Sequence, residues 1–299
     1  MRYVITGGCG FIGSHVVQLL KSKGKEVAII DKITNRELID QKTLLQNVQH
    51  FYMDISDPEL MEKALLRDDI VIHLAAQSHV DVSFKNPVQT TVSNVVGIHS
   101  LLAACVKRGI KKIIIMSTDE VYGSTDKIVD VNLLNPANPY SASKAAADMI
   151  VTAYKTMHPE ITITTLRSNN IAGPGQYINN IIPRFSVLGL LRKKFTLHGD
   201  GSAMRRYLWV EDAAQAIWLL AESATQSRIY HIGHEEKFSN LEIAEKIGNY
   251  LGLENYISFE KDRLINDTIY PADSLDMLRD FQWQPTRNLD DFLPETIEW

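Results

Sequence analysis

Seven residues near the start of the chain, Gly7-Gly8-Cys9-Gly10-Phe11-Ile12-Gly13, constrain the fold more than any other stretch. They follow an apolar run, Tyr3–Thr6, and open a helix-period segment, Gly13–Lys23. Glycines at 7, 10 and 13 allow a tight turn and bring helix N–H groups against a pyrophosphate. A glycine trio alone is a weak signal, and the strand–turn–helix context gives it weight. Asp31 closes the next apolar run, eighteen residues beyond Gly13, where a carboxylate can accept from a ribose 2′-hydroxyl. It would repel a 2′-phosphate, so the expected cofactor is NAD rather than NADP. Phe11 and Ile12 in the loop, Asp54-Ile55 near the adenine, Ala75, and Tyr140 with Lys144 further along the chain complete the expected cofactor set. The plainer alternatives are a glycine turn with a helix-capping Asp31 and a turn role for Asp54.

Short apolar runs alternate with helix-period segments through the first half. Tyr3–Thr6, Val27–Ile30, Ile70–Leu74, Lys112–Met116 and Ile161–Leu166 read as buried parallel strands. Gly13–Lys23, Pro58–Leu66, Val92–Arg108 and Tyr140–Met157 read as helices between them. This rhythm predicts an α/β fold, a doubly wound parallel Rossmann sheet. After about residue 168 it breaks into loops such as Gly173-Pro174-Gly175 and Gly199-Asp200-Gly201. The expected division is a NAD-binding domain over 1–167 and a smaller, mainly substrate-binding C-terminal lobe over 168–299, with some segments returning to the sheet.

Charge narrows the choice of partner. A net charge of −5 without a basic run argues against a nucleic-acid partner. Cys9 and Cys105 make neither a disulfide framework nor a metal site, so no metal and a reducing, cytoplasmic location are expected. No apolar run approaches membrane-spanning length and Met1 leads straight into a strand, so neither a membrane partner nor a signal peptide is expected.

Ser117-Thr118-Asp119-Glu120-Val121-Tyr122-Gly123 sets a hydroxyl and two carboxyls at the end of an apolar run, where open α/β sheets place their sites. Tyr140 and Lys144, four apart, share a helix face. Theirs is the only Tyr-x-x-x-Lys among eleven tyrosines, and Pro139 marks a helix start beside it. A neighbouring ammonium, helped by the positive nicotinamide of NAD, lowers a phenol's pKa towards that of a general base. Adjacent carboxyls in different environments can have separated pKa values. The plainer readings are an exposed Tyr–Lys pair on a surface helix and an acid pair that caps a turn.

Together these motifs resemble the extended short-chain dehydrogenase/reductases that act on nucleotide sugars. Ser-Thr-Asp-Glu-Val-Tyr-Gly further resembles the nucleoside-diphosphate-glucose 4,6-dehydratases of the dTDP- and UDP-glucose types. Nearly the whole chain takes part, including His73–Phe84, Leu166–Asn170, His198–Ser202, Arg205 and Val210-Glu211-Asp212. Ala-Ala-Gln at 75–77 and His-Gly-Asp-Gly-Ser at 198–202 lean towards the UDP-glucose type. The resemblance implies a NAD-dependent lyase. Tyr140 takes the proton of the sugar C4 hydroxyl while hydride leaves C4, Lys144 stands beside it, and Thr118 holds that oxygen. Glu120 removes the C5 proton, Asp119 protonates the departing C6 hydroxyl, and the hydride returns to C6 to give a 4-keto-6-deoxy sugar.

The resemblance also implies substrate contacts from Asn170 or Asn169, from Arg205 on the diphosphate and from a second arginine, Arg263. A surface salt bridge is the plainer role for either arginine. It implies a homodimer through the helices Val92–Arg108 and Tyr140–Met157. Ala145-Ala146-Ala147, Ile150 and Val151 suit close helix approach there, and equally suit packing on the sheet.

The chain departs from the family on the substrate side. Tyr177-Ile178-Asn179-Asn180 stands where Phe-Pro-Glu-Lys is usual, Ala172 replaces a tyrosine, and the segment between Asp31 and Asp54 is short. Two alternatives follow. One is another NAD-dependent UDP-sugar modification that begins at C4, a 4-epimerisation or a 5,6-dehydration; a plain epimerase has no use for Asp119-Glu120. The other is a NAD-bound sensor or scaffold without turnover, which the retained Tyr140 and Lys144 disfavour.

Overall fold

Alternating side-chain direction along short apolar strands turns the first half of the chain into a sheet with two buried faces. The computed structural model describes residues 1–33, 44–127, 130–261, 271 and 274–299. The strands are β1 (Arg2–Thr6), β2 (Glu26–Asp31), β3 (Gln49–Tyr52), β4 (Ile70–His73), β5 (Lys112–Thr118) and β6 (Thr162–Ser168). Beyond them come β7 (Asn170–Ala172), β8 (Phe195–His198), β9 (Met204–Arg205), β10 (Tyr207–Trp209), β11 (Ile229–Ile232), β12 (Phe238–Ser239) and β13 (Ile257–Glu260). Seven strands form one parallel sheet in the order β11-β6-β5-β4-β1-β2-β3. Tyr3, Ile5, Ile29, Ile72 and Ile114 enter one core. Val4, Ala28, Ile30, Val71, Ile113 and Ile115 enter the other.

Helices cover both faces, as a buried parallel sheet requires. They are α1 (Phe11–Ser22), α2 (Pro58–Ala64), α3 (Val80–Lys85), α4 (Pro87–Thr91), α5 (Gly97–Arg108), α6 (Pro139–Met157), α7 (Ile181–Leu190), α8 (Val210–Ser223), α9 (Asn240–Tyr250), α10 (Leu275–Phe281) and α11 (Leu289–Glu298). Helix α1 packs on α8, while α5 packs on both α2 and α6. A wider π turn, Val92–Val96, joins α4 to α5. Strand β11 pairs with β6 and α8 packs on α1 and β5, so both segments lie on the sheet although they come from beyond residue 168. The other late strands form two-stranded pairs, β7 with β10, β8 with β13 and β9 with β12.

Two sheet strands, β3 and β11, fall outside the runs read as strands. Both are edge strands, and their polar content, Gln49-His50 and His231, breaks the apolar run that marks a central strand. Near the C-terminus Thr286 N–H and its hydroxyl donate to buried Asp212 at 2.9 and 2.6 Å, fastening the segment before α11 to α8. Among the described residues, no helix is long and apolar enough to cross a membrane.

Candidate active site

The sheet order reverses between β1 and β4, and the crevice beyond their carboxyl ends is where open α/β sheets bind ligands. Gly7 follows β1 with φ +72°, and a Cβ there would lie 2.6 Å from the Ala75 nitrogen. A Cβ on Gly13 would lie 2.1 Å from the Gly7 carbonyl oxygen. The loop and the start of α1 therefore close on each other with no room for side chains. A cleft of about 500 Å³ opens there, lined by Gly7, Gly10, Phe11, Ile12, Gly13, Asp31, Asp54, Ile55 and Ala75. These are the residues expected around a cofactor, Tyr140 and Lys144 apart. Asp31 accepts from the backbone N–H groups of Cys9 and Ile33 at 3.0 and 2.7 Å, which fixes its carboxylate at the rim. Asp54 pairs with Lys32 at 2.8 Å. A dinucleotide fits: the glycines leave backbone to meet a pyrophosphate, and Asp31 can still accept from a ribose hydroxyl.

The second cluster forms where β5 and β6 end together, Thr118 in register with Ser168. The turn Asp119–Tyr122 leaves β5, and Asn169 leaves β6 beside it. Asn169 Nδ2 donates to Asp119 Oδ2 at 2.7 Å and to the Pro271 carbonyl at 2.8 Å. Thr118 Oγ1 donates to Asp119 Oδ1 at 3.3 Å. Burial pushes the Asp119 carboxyl up; hydrogen bonds from Asn169 and Thr118 and the charge of Arg205 oppose that, the charge of Glu120 adds to it, and the pKa stands at about 7. Two adjacent carboxyls therefore sit in different environments. Asp119 is buried, whereas Glu120 lines a cavity and accepts from Asn138 Nδ2 at 3.4 Å.

Asn138 also starts α6. Its side chain accepts from Ser141 N–H at 2.9 Å, the Ser141 hydroxyl accepts from Asn138 N–H at 3.1 Å, and Pro139 takes the first helical position. The cap sets the rotation of α6, so that Tyr140 and Lys144 face the end of β5. The Thr118 hydroxyl lies beside the Tyr140 phenol and works to lower its pKa. Lys144 Nζ donates to the Met116 carbonyl at 2.8 Å. Both residues are buried, which excludes the exposed surface pair. Within the protein alone, burial and then the charge of Glu120 hold the Tyr140 phenol well above its ordinary value of 10.0. The lowering expected from sequence invokes the positive nicotinamide of bound NAD as well as Lys144; in the protein by itself, burial and Glu120 dominate.

A second cavity, of about 430 Å³, is lined by Glu120, Asn170 and Arg205 together with Asn179, Asn180 and Arg184. Ser78, His79, Val82 and Asn180 line both spaces, so the two adjoin. Asn170 reaches this cavity, whereas Asn169 lies behind it and commits its amide to Asp119. Arg263 lies outside the described residues. Three side chains of the site had no role assigned from sequence: Asn138, His79 and Asn94. The Asn-Pro pair before α6 was a readable capping signal for the first. His79 packs against Tyr177, ring centroids 4.4 Å apart and tilted by 41°, a contact between distant segments. Asn94, inside the π turn, bonds Gln77 and Ser143 and ties the loop after β4 to α6.

Residues 4–296 match the family model described as GDP-mannose 4,6 dehydratase. The chain is 36% identical over 99% of its length to a trifunctional UDP-glucose 4,6-dehydratase, 3,5-epimerase and reductase of Arabidopsis thaliana, and spans about half, 46%, of that relative. It is 33% identical to a dTDP-D-glucose 4,6-dehydratase of Bos taurus, covering 100% of this chain and 88% of the relative. The crystal structure of the dTDP-glucose 4,6-dehydratase DesIV of Streptomyces venezuelae, which holds NAD, is similar with a TM-score of 0.93 and 31% identity over 100% of this chain and 96% of that one. A UDP-glucose 4-epimerase of Thermotoga maritima is similar at a TM-score of 0.92 and 27% identity, over 100% and 98% of the two chains.

Proposed function

Because this chain belongs to the extended short-chain dehydrogenase/reductase family of nucleotide-sugar 4,6-dehydratases, we propose that it catalyses the NAD-dependent 4,6-dehydration of a nucleotide hexose of the UDP- or dTDP-glucose type. The observation that carries this reading is the unlike acid pair: a buried Asp119 with its pKa pushed up to about 7, next to a Glu120 that faces the cavity. A similar overall structure also serves 4-epimerases, so the backbone alone does not choose the reaction. An epimerase that only oxidises and reduces C4 has no step for a buried acid.

In this reading Gly7, Gly10, Phe11, Ile12, Gly13, Asp31, Asp54, Ile55 and Ala75 hold the dinucleotide. When bound, it supplies a positive charge near Tyr140 and accepts and returns one hydride. Tyr140 takes the C4 hydroxyl proton, with Thr118 beside the same phenol and Lys144 in the turn beneath. Glu120 takes the C5 proton. Asp119 gives its proton to the C6 oxygen as the C6–O bond breaks, so that water leaves. Asn170 and Arg205 hold sugar and diphosphate, the guanidinium fork suiting phosphate oxygens. Arg263 is the second proposed phosphate ligand.

We further propose a cytoplasmic homodimer through the Val92–Arg108 segment, which is the π turn with α5, and through α6. Ala145, Ala147 and Val151 are buried within the chain, so the support comes from exposed Val96 and Met149 at 46% and 68% exposure.

The test is mass spectrometry of the protein with NAD and, separately, UDP-glucose, dTDP-glucose and UDP-N-acetylglucosamine in deuterated water. Loss of one water with deuterium at C5 of a 4-keto product is expected from one of the glucose donors. A 4-epimer without water loss would assign Asp119 and Glu120 to structure instead.

A further inference from the structure

Behind both cavities, and lining neither, a chain of buried polar side chains runs from α6 to the edge strand β11. Asp148 stands four residues beyond Lys144, so Tyr140, Lys144 and Asp148 occupy one face of α6. Arg167, near the end of β6, donates from Nε and Nη2 to Asp148 Oδ2 at 2.9 and 2.8 Å. Its Nη1 donates to the Tyr122 hydroxyl and to the Val131 carbonyl, the latter at 2.6 Å. The Tyr122 hydroxyl also meets His231 Nε2 at 2.7 Å. All four side chains are more than nine-tenths buried.

Tyr122 is the last residue of the turn that begins with Asp119 and Glu120. The guanidinium of Arg167 therefore bonds, on one side, the turn that carries the acid pair and, on the other, the helix that carries Tyr140 and Lys144. A fully buried ion pair is a poor source of stability, because desolvation offsets the attraction. A planar fork with several donors does fix geometry.

We propose that Arg167, acting through Tyr122 and Asp148, is a positioning residue that holds the Asp119–Glu120 turn in register with the Tyr140–Lys144 helix. The inference rests on the dehydration reading above, in which Tyr140 works on C4 and Glu120 on the neighbouring C5 of one sugar ring. Of the two elements joined, α6 spans 19 residues and packs on the sheet, whereas the turn has 4. Loosening the tie moves the turn. The defect then falls on removal of water, which needs Asp119 and Glu120, and spares oxidation at C4, which needs Tyr140 and Lys144.

The experiment compares wild type, Arg167→Lys and Tyr122→Phe, each checked for an unchanged circular dichroism spectrum. Each is mixed with NAD and UDP-glucose or dTDP-glucose in a single turnover and quenched for mass spectrometry. The quantity read is the ratio of 4-keto sugar that has lost water to 4-keto sugar that keeps its C6 oxygen. A displacement of about 1 Å costs roughly a hundred-fold in rate, and a drop of that order in the ratio is expected for Arg167→Lys, with a smaller one for Tyr122→Phe. If Arg167→Lys does not fold, Tyr122→Phe, which deletes one hydroxyl, carries the test. Variants that slow both steps equally, or neither, would overturn the inference, because general loss of folded protein leaves the ratio unchanged. A wild type that loses no water from any donor would instead overturn the dehydratase reading, and this inference with it.

Discussion

Asn169 and Asp119 come from neighbouring strand ends and meet through one hydrogen bond, Nδ2 to Oδ2 at 2.7 Å, inside the protein. A donor aimed at a carboxylate favours its ionised form, so this contact works against the burial that keeps Asp119 protonated.

A pH dependence follows from that pair. With its pKa at about 7, Asp119 loses its proton as pH rises through neutrality, and the rate of water loss should fall on the alkaline side. Asn169→Ala removes the donor and should move that alkaline limb to higher pH. A pH–rate profile of the two proteins checks both; a limb that stays in place would remove Asp119 from the role of acid.

The two bases separate by chemistry. Glu120→Gln should abolish deuterium entry at C5 and lower water loss by about 10²- to 10⁴-fold while C4 oxidation continues. Tyr140→Phe should suppress both steps. Normal turnover by Glu120→Gln would show that another group takes the C5 proton.

Cofactor binding depends on bare backbone. Gly13→Ala would place a methyl carbon 2.1 Å from the Gly7 carbonyl oxygen, a contact that only a shift of the loop can relieve. Titration with NAD should show its affinity lost. The fold away from the loop should survive, with circular dichroism unchanged.

Stability has a separate anchor in Asp212. Asp212→Ala removes two hydrogen bonds accepted by a buried carboxylate, while the exposed Thr286 can turn its N–H and hydroxyl to water, so a loss of about 1–2 kcal/mol is expected. Urea unfolding of the variant should show a lower midpoint with an unchanged slope.

The central strands were legible because their apolar runs alternate between two cores, as Val4 and Ile5 do. So was the cofactor cleft, since a glycine loop reports backbone geometry directly. The acid pair and the Tyr–Lys pair were legible as residue types at known spacings. What sequence could not give was which side chains answer each other across the sheet. Asn169 and Asn170 are adjacent and chemically alike, yet one turns inward to an acid and the other faces the cavity. That choice is made by the end of β6, not by the residues. The raised phenol of Tyr140 was hidden for the same reason: its burial and its closeness to Glu120 come from packing that spacing does not encode.

The burial of ionisable groups beneath the site also bears on how hot this protein can run. Asp119, Lys144, Asp148, Arg167 and His73 are all at 6% exposure or less. For Asp119 the folded pKa of about 7 lies above its ordinary 3.8, so its contribution to stability is present below the ordinary value and is lost as pH rises through about 7. Asp119→Asn escapes that loss, and its melting temperature should overtake that of wild type as pH climbs through this window. The disarmed enzyme would be the hardier one. Selection for heat tolerance alone would therefore remove the Asp119 carboxyl, and the need for turnover keeps it.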